Sequence, residues 1–276
     1  MEYSEEILFV GVTRFSVVLE SSINSFRATR GKTLNQAKEV VWQSDRLEKR
    51  MWFFKNFCLP SYAQNAKNSK DSYGVILANK DFPLLGELRG LCSTVDNLIV
   101  MPLEDQQNHR SELYNYTMSI ASPRQRIFSF RYDDDDALSA NYVPLIKRHA
   151  SVAPDGNIIS LNKGYSLRRL PDGSFGMHPR RYPMNAFGLG VVSIREKLKT
   201  ILECGSHQKI SSGVTHDTEN FGWLSPIHDG NDSHVNAYKK ESIPREEMIK
   251  LVESLFPHLD AKEISKIPTV RPPDER

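Results

Sequence analysis

The sequence predicts an α/β fold: a mostly parallel central sheet with helices on both faces, and antiparallel strands and loops added in the C-terminal half. Three observations carry this expectation. Short runs rich in β-branched and aromatic residues recur at Ile7–Val12, Tyr73–Leu77, Asn97–Met101 and Arg126–Phe130. The segments between them are long enough to hold helices, the alternation that parallel strands with crossover helices require. After residue 150 the texture changes to Gly, Pro and aromatic-rich segments, which read as hairpins and long loops.

The first run, ILFVGV, is continuously apolar and bounded by acids and by Thr13-Arg14, as expected of a strand buried on both faces. The clearest helix lies in SDRLEKRMWFFKNFCLP, where Asp45 can cap and Glu48 follows three residues later. Leu47, Met51, Phe54 and Cys58 line one face, Pro60 stops the helix, and Trp52, Phe53, Phe54 and Phe57 pack against the sheet. Pro144 requires the helix after the fourth strand to start late or to kink. Pro154-Asp155-Gly156 and Pro171-Asp172-Gly173 mark turns. IPREEMIKLVESLFP is an amphipathic helix presenting Ile249, Val252 and Phe256, and a polar tail follows it.

Of the 276 residues, 39% are hydrophobic and 25% charged, an ordinary globular composition. A single domain over residues 1–276 is expected. The net charge of +2 is spread along the chain, which argues against a dedicated nucleic-acid binder. Three separated cysteines, Cys58, Cys92 and Cys204, fit neither a disulfide framework nor a metal motif and read as buried thiols of a cytoplasmic protein. The N-terminus opens with acidic residues, and no apolar run approaches the ~18 residues that span a bilayer. Export and membrane spanning are not expected.

RYDDDDALS raises a different question, because Asp133 to Asp136 follow directly on the fourth strand. Ligand crevices in open α/β sheets lie beyond the carboxyl ends of strands. Two carboxylates ~4 Å apart repel by roughly 4 kcal/mol at an effective dielectric of 20, so convergent aspartates in a crevice call for a cation. Oxygen ligands suit Mg²⁺ or Mn²⁺, which commonly bind substrate phosphates as well. Adjacent residues point different ways, so the four cannot all ligate together, and a solvated acidic turn is the alternative. An EF-hand is excluded, since Leu138 and Pro144 stand where that loop needs Gly and Glu.

The segments VTRFS, FFKNFCLPSYAQ, RYDDDDALSANYV and GWLSPIHDGNDS occur in the order found in the putative rhamnosyltransferase family, whose members resemble GT-A glycosyltransferases. The resemblance covers roughly residues 7–240. It implies a GT-A-like fold and transfer of a sugar, rhamnose being suggested, from a nucleotide-diphosphate donor to a glycan or polysaccharide acceptor. It divides the chain into a nucleotide-sugar-binding half (1–150), an acceptor-binding half (151–240) and a C-terminal helix and tail (241–276). By the same resemblance Asp133, Asp135, Asp136 and His228 hold the metal. It implies that Thr13, Arg14, Asp81, Arg131 and Asp133 contact the donor and that Asp217 or Glu219 is the general base. The alternatives are a plain turn at Asp81, a structural ion pair at Arg131, a structural histidine at His228 and solvated carboxylates at Asp217 and Glu219. Asp229 departs from the family pattern next to His228. A membrane is met only peripherally, through a lipid-linked acceptor. The rival readings are another metal-dependent phosphate enzyme, a nucleotidyltransferase or phosphohydrolase, and a non-catalytic sugar-binding module.

Overall fold

The computed structural model describes residues 6–25, 28–169, 175–205, 210, 213–228 and 245–267. The Pro171-Asp172-Gly173 turn and Asp229 lie outside the described residues. The chain runs β1 (Ile7–Arg14), α1 (Leu34–Val41), α2 (Ser44–Phe53), a π-helical segment (Phe54–Cys58), α3 (Leu59–Asn68), β2 (Ser72–Asn79), α4 (Leu85–Cys92), β3 (Leu98–Leu103), α5 (His109–Ile120), β4 (Arg126–Arg131) and β5 (Ala137–Leu138). It continues through α6 (Tyr142–Ala150), β6 (Ile158–Arg169), β7 (Phe175–Arg181), β8 (Gly190–Ile194), β9 (Val214–Pro226), α7 (Arg245–Leu255) and α8 (Ala261–Ile264).

All nine described strands belong to one sheet, in the order β3-β2-β1-β4-β8-β6-β9-β5, with β7 paired to β6. The first four strands are parallel and β8 joins β4 antiparallel, so the N-terminal half is the parallel sheet expected and the C-terminal half supplies the antiparallel strands. In β1, Ile7 and Phe9 face a core shared with α2, α3, α4 and α6, while Leu8, Val10 and Val12 face one shared with α5. Helices therefore cover both faces, which is why the strand needs no polar side.

The first long helical region departs from expectation at both ends. Gln43 rather than Asp45 occupies the N-cap, without a side-chain bond, and Asp45 lies in the first turn, where a carboxylate suits the helix dipole. Pro60 does not stop the helix, because the π-helical segment before it resets the hydrogen-bond register and places Pro60 in the first turn of α3, where a missing N–H is tolerated. The same reasoning corrects the expectation for Pro144, which sits in the first turn of an α6 that begins at Tyr142. The π-helical segment also splits the aromatic cluster. Phe54 points to the core containing α4 and α6, whereas Phe53 and Phe57 join a third core with Leu224, Val252 and Phe256. Helix α1, with its Thr33/Gln36 capping box, carries a signal that the residue pattern alone left unread.

Candidate active site

Strands β1 and β4 lie side by side with Val12 opposite Arg131, so their carboxyl ends reach the same edge of the sheet together. Tyr132 N donates to the Val12 carbonyl, and the Thr13 hydroxyl donates to the Tyr132 carbonyl at 2.8 Å and meets Tyr62 Oη at 2.9 Å. Thr13 is fully buried and so clamps the two strand ends together rather than facing a ligand. Arg14, next along, is half-buried. Burial and the nearby Arg131 lower its pKa to about 10 against the opposing pull of Asp133 and Asp134. His109, at the start of α5, is pushed down to about 4 by burial and by Arg14 and Arg110. A cationic group thus stands beside the acidic turn.

Within that turn the four carboxylates have four environments. Asp133 is the most open, with a side chain 40% exposed, and accepts from Arg131 Nη2 at 3.4 Å. Asp134 is buried and forms a bidentate pair with Arg50 of α2, one arm being Nε to Oδ2 at 2.8 Å. Its pKa nevertheless rises to about 6, since burial outweighs the arginine and the neighbouring carboxylates add repulsion. Asp135 Oδ2 lies 2.8 Å from His228 Nε2. Burial opposes its ionised form, but the His228 contact and charge hold it below the ordinary range. Phe53 stacks on the His228 ring with centroids 4.1 Å apart. Asp136 is buried and bonded to Ser225, its Oδ2 has no hydrogen-bond partner, and burial followed by Asp135 and Asp133 pushes its pKa well up.

The side chains as they stand do not converge, and among the described residues no three of His, Cys, Asp or Glu form a group able to hold a metal ion. The donor chemistry nonetheless suits a hard divalent cation: carboxylate oxygens of Asp133, Asp135 and Asp136 with the His228 imidazole, one carboxylate oxygen being orphaned. Asp81 lies just beyond the carboxyl end of β2, the neighbour of β1, and pairs with Lys38 at 2.7 Å. Lys38 also holds Asp105, which in turn accepts from Asn79 Nδ2.

Asp217 and Glu219 are not brought to this edge. Asp217 lies on β9, whose Ser225 contacts the turn, and at ~3.3 Å per residue the two are roughly 25 Å apart along the strand. The Asp217 carboxylate is saturated by His149 Nε2 at 2.9 Å, by the backbone N–H groups of Glu219 and Asn220, and by Asn220 Nδ2. Although burial opposes this, the Asn220 and His149 contacts hold its pKa at about 2, too low for a proton acceptor near neutrality. Glu219 is exposed. The residues that sequence reasoning missed are Arg50, Phe53 as a ring partner, and His109. Arg50 had a signal, since it falls three residues after Leu47 and one before Met51, a cation next to the apolar face of α2.

A family model described as "Putative rhamnosyl transferase" matches residues 8–240. No curated protein matches. Among solved structures, S. aureus TarS 1-349 superposes with a TM-score of 0.42 at 7% identity, over 79% of this chain and 60% of that one. A putative glucose-1-phosphate thymidylyltransferase from Bacillus anthracis gives 0.36 at 8% identity, over 80% and 89%. The inositol-1-phosphate CTP transferase from T. maritima gives 0.36 at 14% identity, over 88% and 96%.

Proposed function

The chain belongs to the putative rhamnosyl transferase family, a family of glycosyltransferases, and from that premise we propose that it moves a sugar, rhamnose by the family's description, from a nucleotide-diphosphate donor to a hydroxyl of a glycan or polysaccharide precursor. The observation that carries the reading is the acidic turn at the shared carboxyl edge of β1 and β4, facing Arg14 and Arg131. Residues 1–150 supply the donor side and 151–240 the acceptor side. No helix among the described residues is long and apolar enough to cross a membrane.

Each residue has a part set by its surroundings. Arg14 and Arg131 bind the donor diphosphate, Arg131 in competition with its contact to Asp133. Arg50 neutralises Asp134 and so fixes the turn, and His228, braced by Phe53, orients Asp135. Asp133, Asp135, Asp136 and His228 would hold Mn²⁺ or Mg²⁺, which when bound stabilises negative charge on a departing diphosphate as a Lewis acid. Asp81, which pairs with Lys38, would accept from the donor base once Lys38 releases it. Because Asp217 is remote and saturated, the proton acceptor is sought at the acidic edge.

Isothermal titration with UDP, GDP and dTDP, each with and without Mn²⁺, tests this reading. Metal-dependent binding of one nucleoside diphosphate is expected, and Asp135→Ala should weaken it at least tenfold while the circular dichroism spectrum is unchanged. Metal binding with no nucleotide binding would favour a phosphohydrolase-type enzyme, and unaltered affinity in Asp135→Ala would remove the metal assignment.

A further inference from the structure

We propose that His258, in the connection between α7 and α8, is a positioning residue of the acidic turn: acting through Ser61, it holds the outer edge of β5, the strand that follows Asp136, and so sets the arrangement in which the turn receives the donor diphosphate. The inference rests on the transferase reading above and adds to it a residue beyond the 8–240 span of the family model.

The reason lies in how little holds β5. It has two residues, Ala137 and Leu138, and begins directly after Asp136. Among the described strands it pairs with β9 alone, through Ala137 opposite Leu224 and Leu138 opposite Trp223, and it ends the strand order of the sheet. Backbone N–H groups alternate between the two sides of such a strand. Ser139 N turns inward, to the Gly222 carbonyl of β9 at 3.0 Å, whereas Leu138 N and Ala140 N turn outward. No strand meets the outward pair. Leu138 N donates to Ser61 Oγ at 3.1 Å and Ala140 N to the Leu255 carbonyl at 2.8 Å, while Asn68 Nδ2 donates to the Ala140 carbonyl at 2.6 Å. A two-residue edge has little hold of its own, so these contacts fix the path by which the chain leaves Asp136.

His258 completes the Ser61 contact. Ser61 is fully buried and donates its single hydroxyl proton to the Phe57 carbonyl at 2.9 Å. Its oxygen therefore accepts from both Leu138 N and His258 Nε2, the latter at 3.2 Å, which puts the imidazole proton on Nε2. The buried Nδ1 has no hydrogen-bond partner, in keeping with that tautomer. Burial lowers the pKa of the ring to about 4, so it is neutral near pH 7, and the ring also contacts the Leu138 backbone. Removing it would let water compete for Ser61 and for the Leu138 edge. His258 is itself placed by Phe256 and Leu259, both buried in the third core, which also contains Ala137 and Phe53, the ring stacked on His228. The C-terminal segment thus reaches the acidic turn by hydrogen bonds to β5 and by sharing a core with Phe53.

Amide hydrogen exchange followed by NMR, and isothermal titration with UDP, GDP and dTDP in the presence of Mn²⁺, test the proposal on the full chain. In His258→Ala and in Ser61→Ala the Leu138 amide should exchange at least tenfold faster, relative to the Val10 and Phe128 amides of the central strands, which report global opening. Affinity for the nucleoside diphosphate that wild type binds should fall at least fivefold in both. His258→Gln, whose amide N–H can take the place of Nε2–H, should return both quantities to within twofold of wild type. Ser61→Ala removes a single oxygen, so it reports even if His258→Ala does not fold. A smaller change in either measurement, or a glutamine variant that behaves as the alanine variant does, overturns the proposal. A wild-type chain that binds none of the three nucleotides overturns the transferase reading instead, and Leu138 exchange then decides by itself whether His258 holds β5.

Discussion

Asp134 and Asp135 are adjacent in the chain and titrate in opposite directions. Both are removed from water, but Asp134 has an arginine and two carboxylate neighbours, while Asp135 has His228 directly on its Oδ2. Spacing in the sequence marked this turn as a site and correctly implied that its members diverge. It could not identify Arg50 or Phe53 as partners, because they come from a helix more than 75 residues earlier, as the 84-residue separation of Arg50 and Asp134 shows. Asp217 illustrates a different limit, since its four hydrogen-bond contacts, from His149, Glu219 and Asn220, could not be read from its motif. Its folded pKa of about 2 lies below the ~3.9 of an unfolded aspartate, so the folded state binds fewer protons between these values. Its stabilisation is therefore complete above about pH 4 to 5 and is lost as pH falls from there toward 2. Asp217→Asn should flatten the stability profile in that acid window and cost roughly 1–2 kcal/mol near neutrality, as buried hydrogen-bonded groups do. Urea denaturation at a series of pH values measures both.

At the scale of elements, strands were the most legible because burial on both faces leaves an uninterrupted apolar run, and all four runs named from the sequence became parallel strands. The π-helical segment was not legible, since 54–58 contains good helix-compatible apolar residues and nothing in their spacing announces a widened turn. Its consequence is visible only in three dimensions: one continuous helical region serves two cores. Sheet packing sets a second constraint. Gly164 is opposite the fully buried Trp223, whose Nε1 donates to the Leu161 carbonyl at 3.0 Å and cannot swing away without losing that bond. Gly164→Ala should therefore destabilise the protein by about 1–3 kcal/mol, the usual cost of overpacking. A lower urea midpoint at unchanged slope would show it, and an unchanged midpoint would mean that the indole shifts freely.

For the whole molecule, the third core joins the middle of the chain to its C-terminal helices. Phe53, Phe57 and Leu224 are covered by Met248, Val252 and Phe256 of the α7 region, and Ala140 N donates to the Leu255 carbonyl at 2.8 Å. Burial of each large apolar side chain contributes about 1.5–3 kcal/mol, so losing several would consume much of the ~5–15 kcal/mol that a domain possesses. A chain ending at residue 244 should lose its cooperative thermal transition and bind the dye ANS, whereas a sharp transition within ~5 °C of the full chain would show these helices to be dispensable. The acidic turn also has a temporal dimension. Asp135 and His228 are 93 residues apart, which at ~5–20 residues per second separates their synthesis by roughly 5–19 s. For that interval a nascent chain emerging from the ribosome carries Asp135 without its imidazole partner, so the turn cannot take its folded hydrogen-bond arrangement until translation has passed β9.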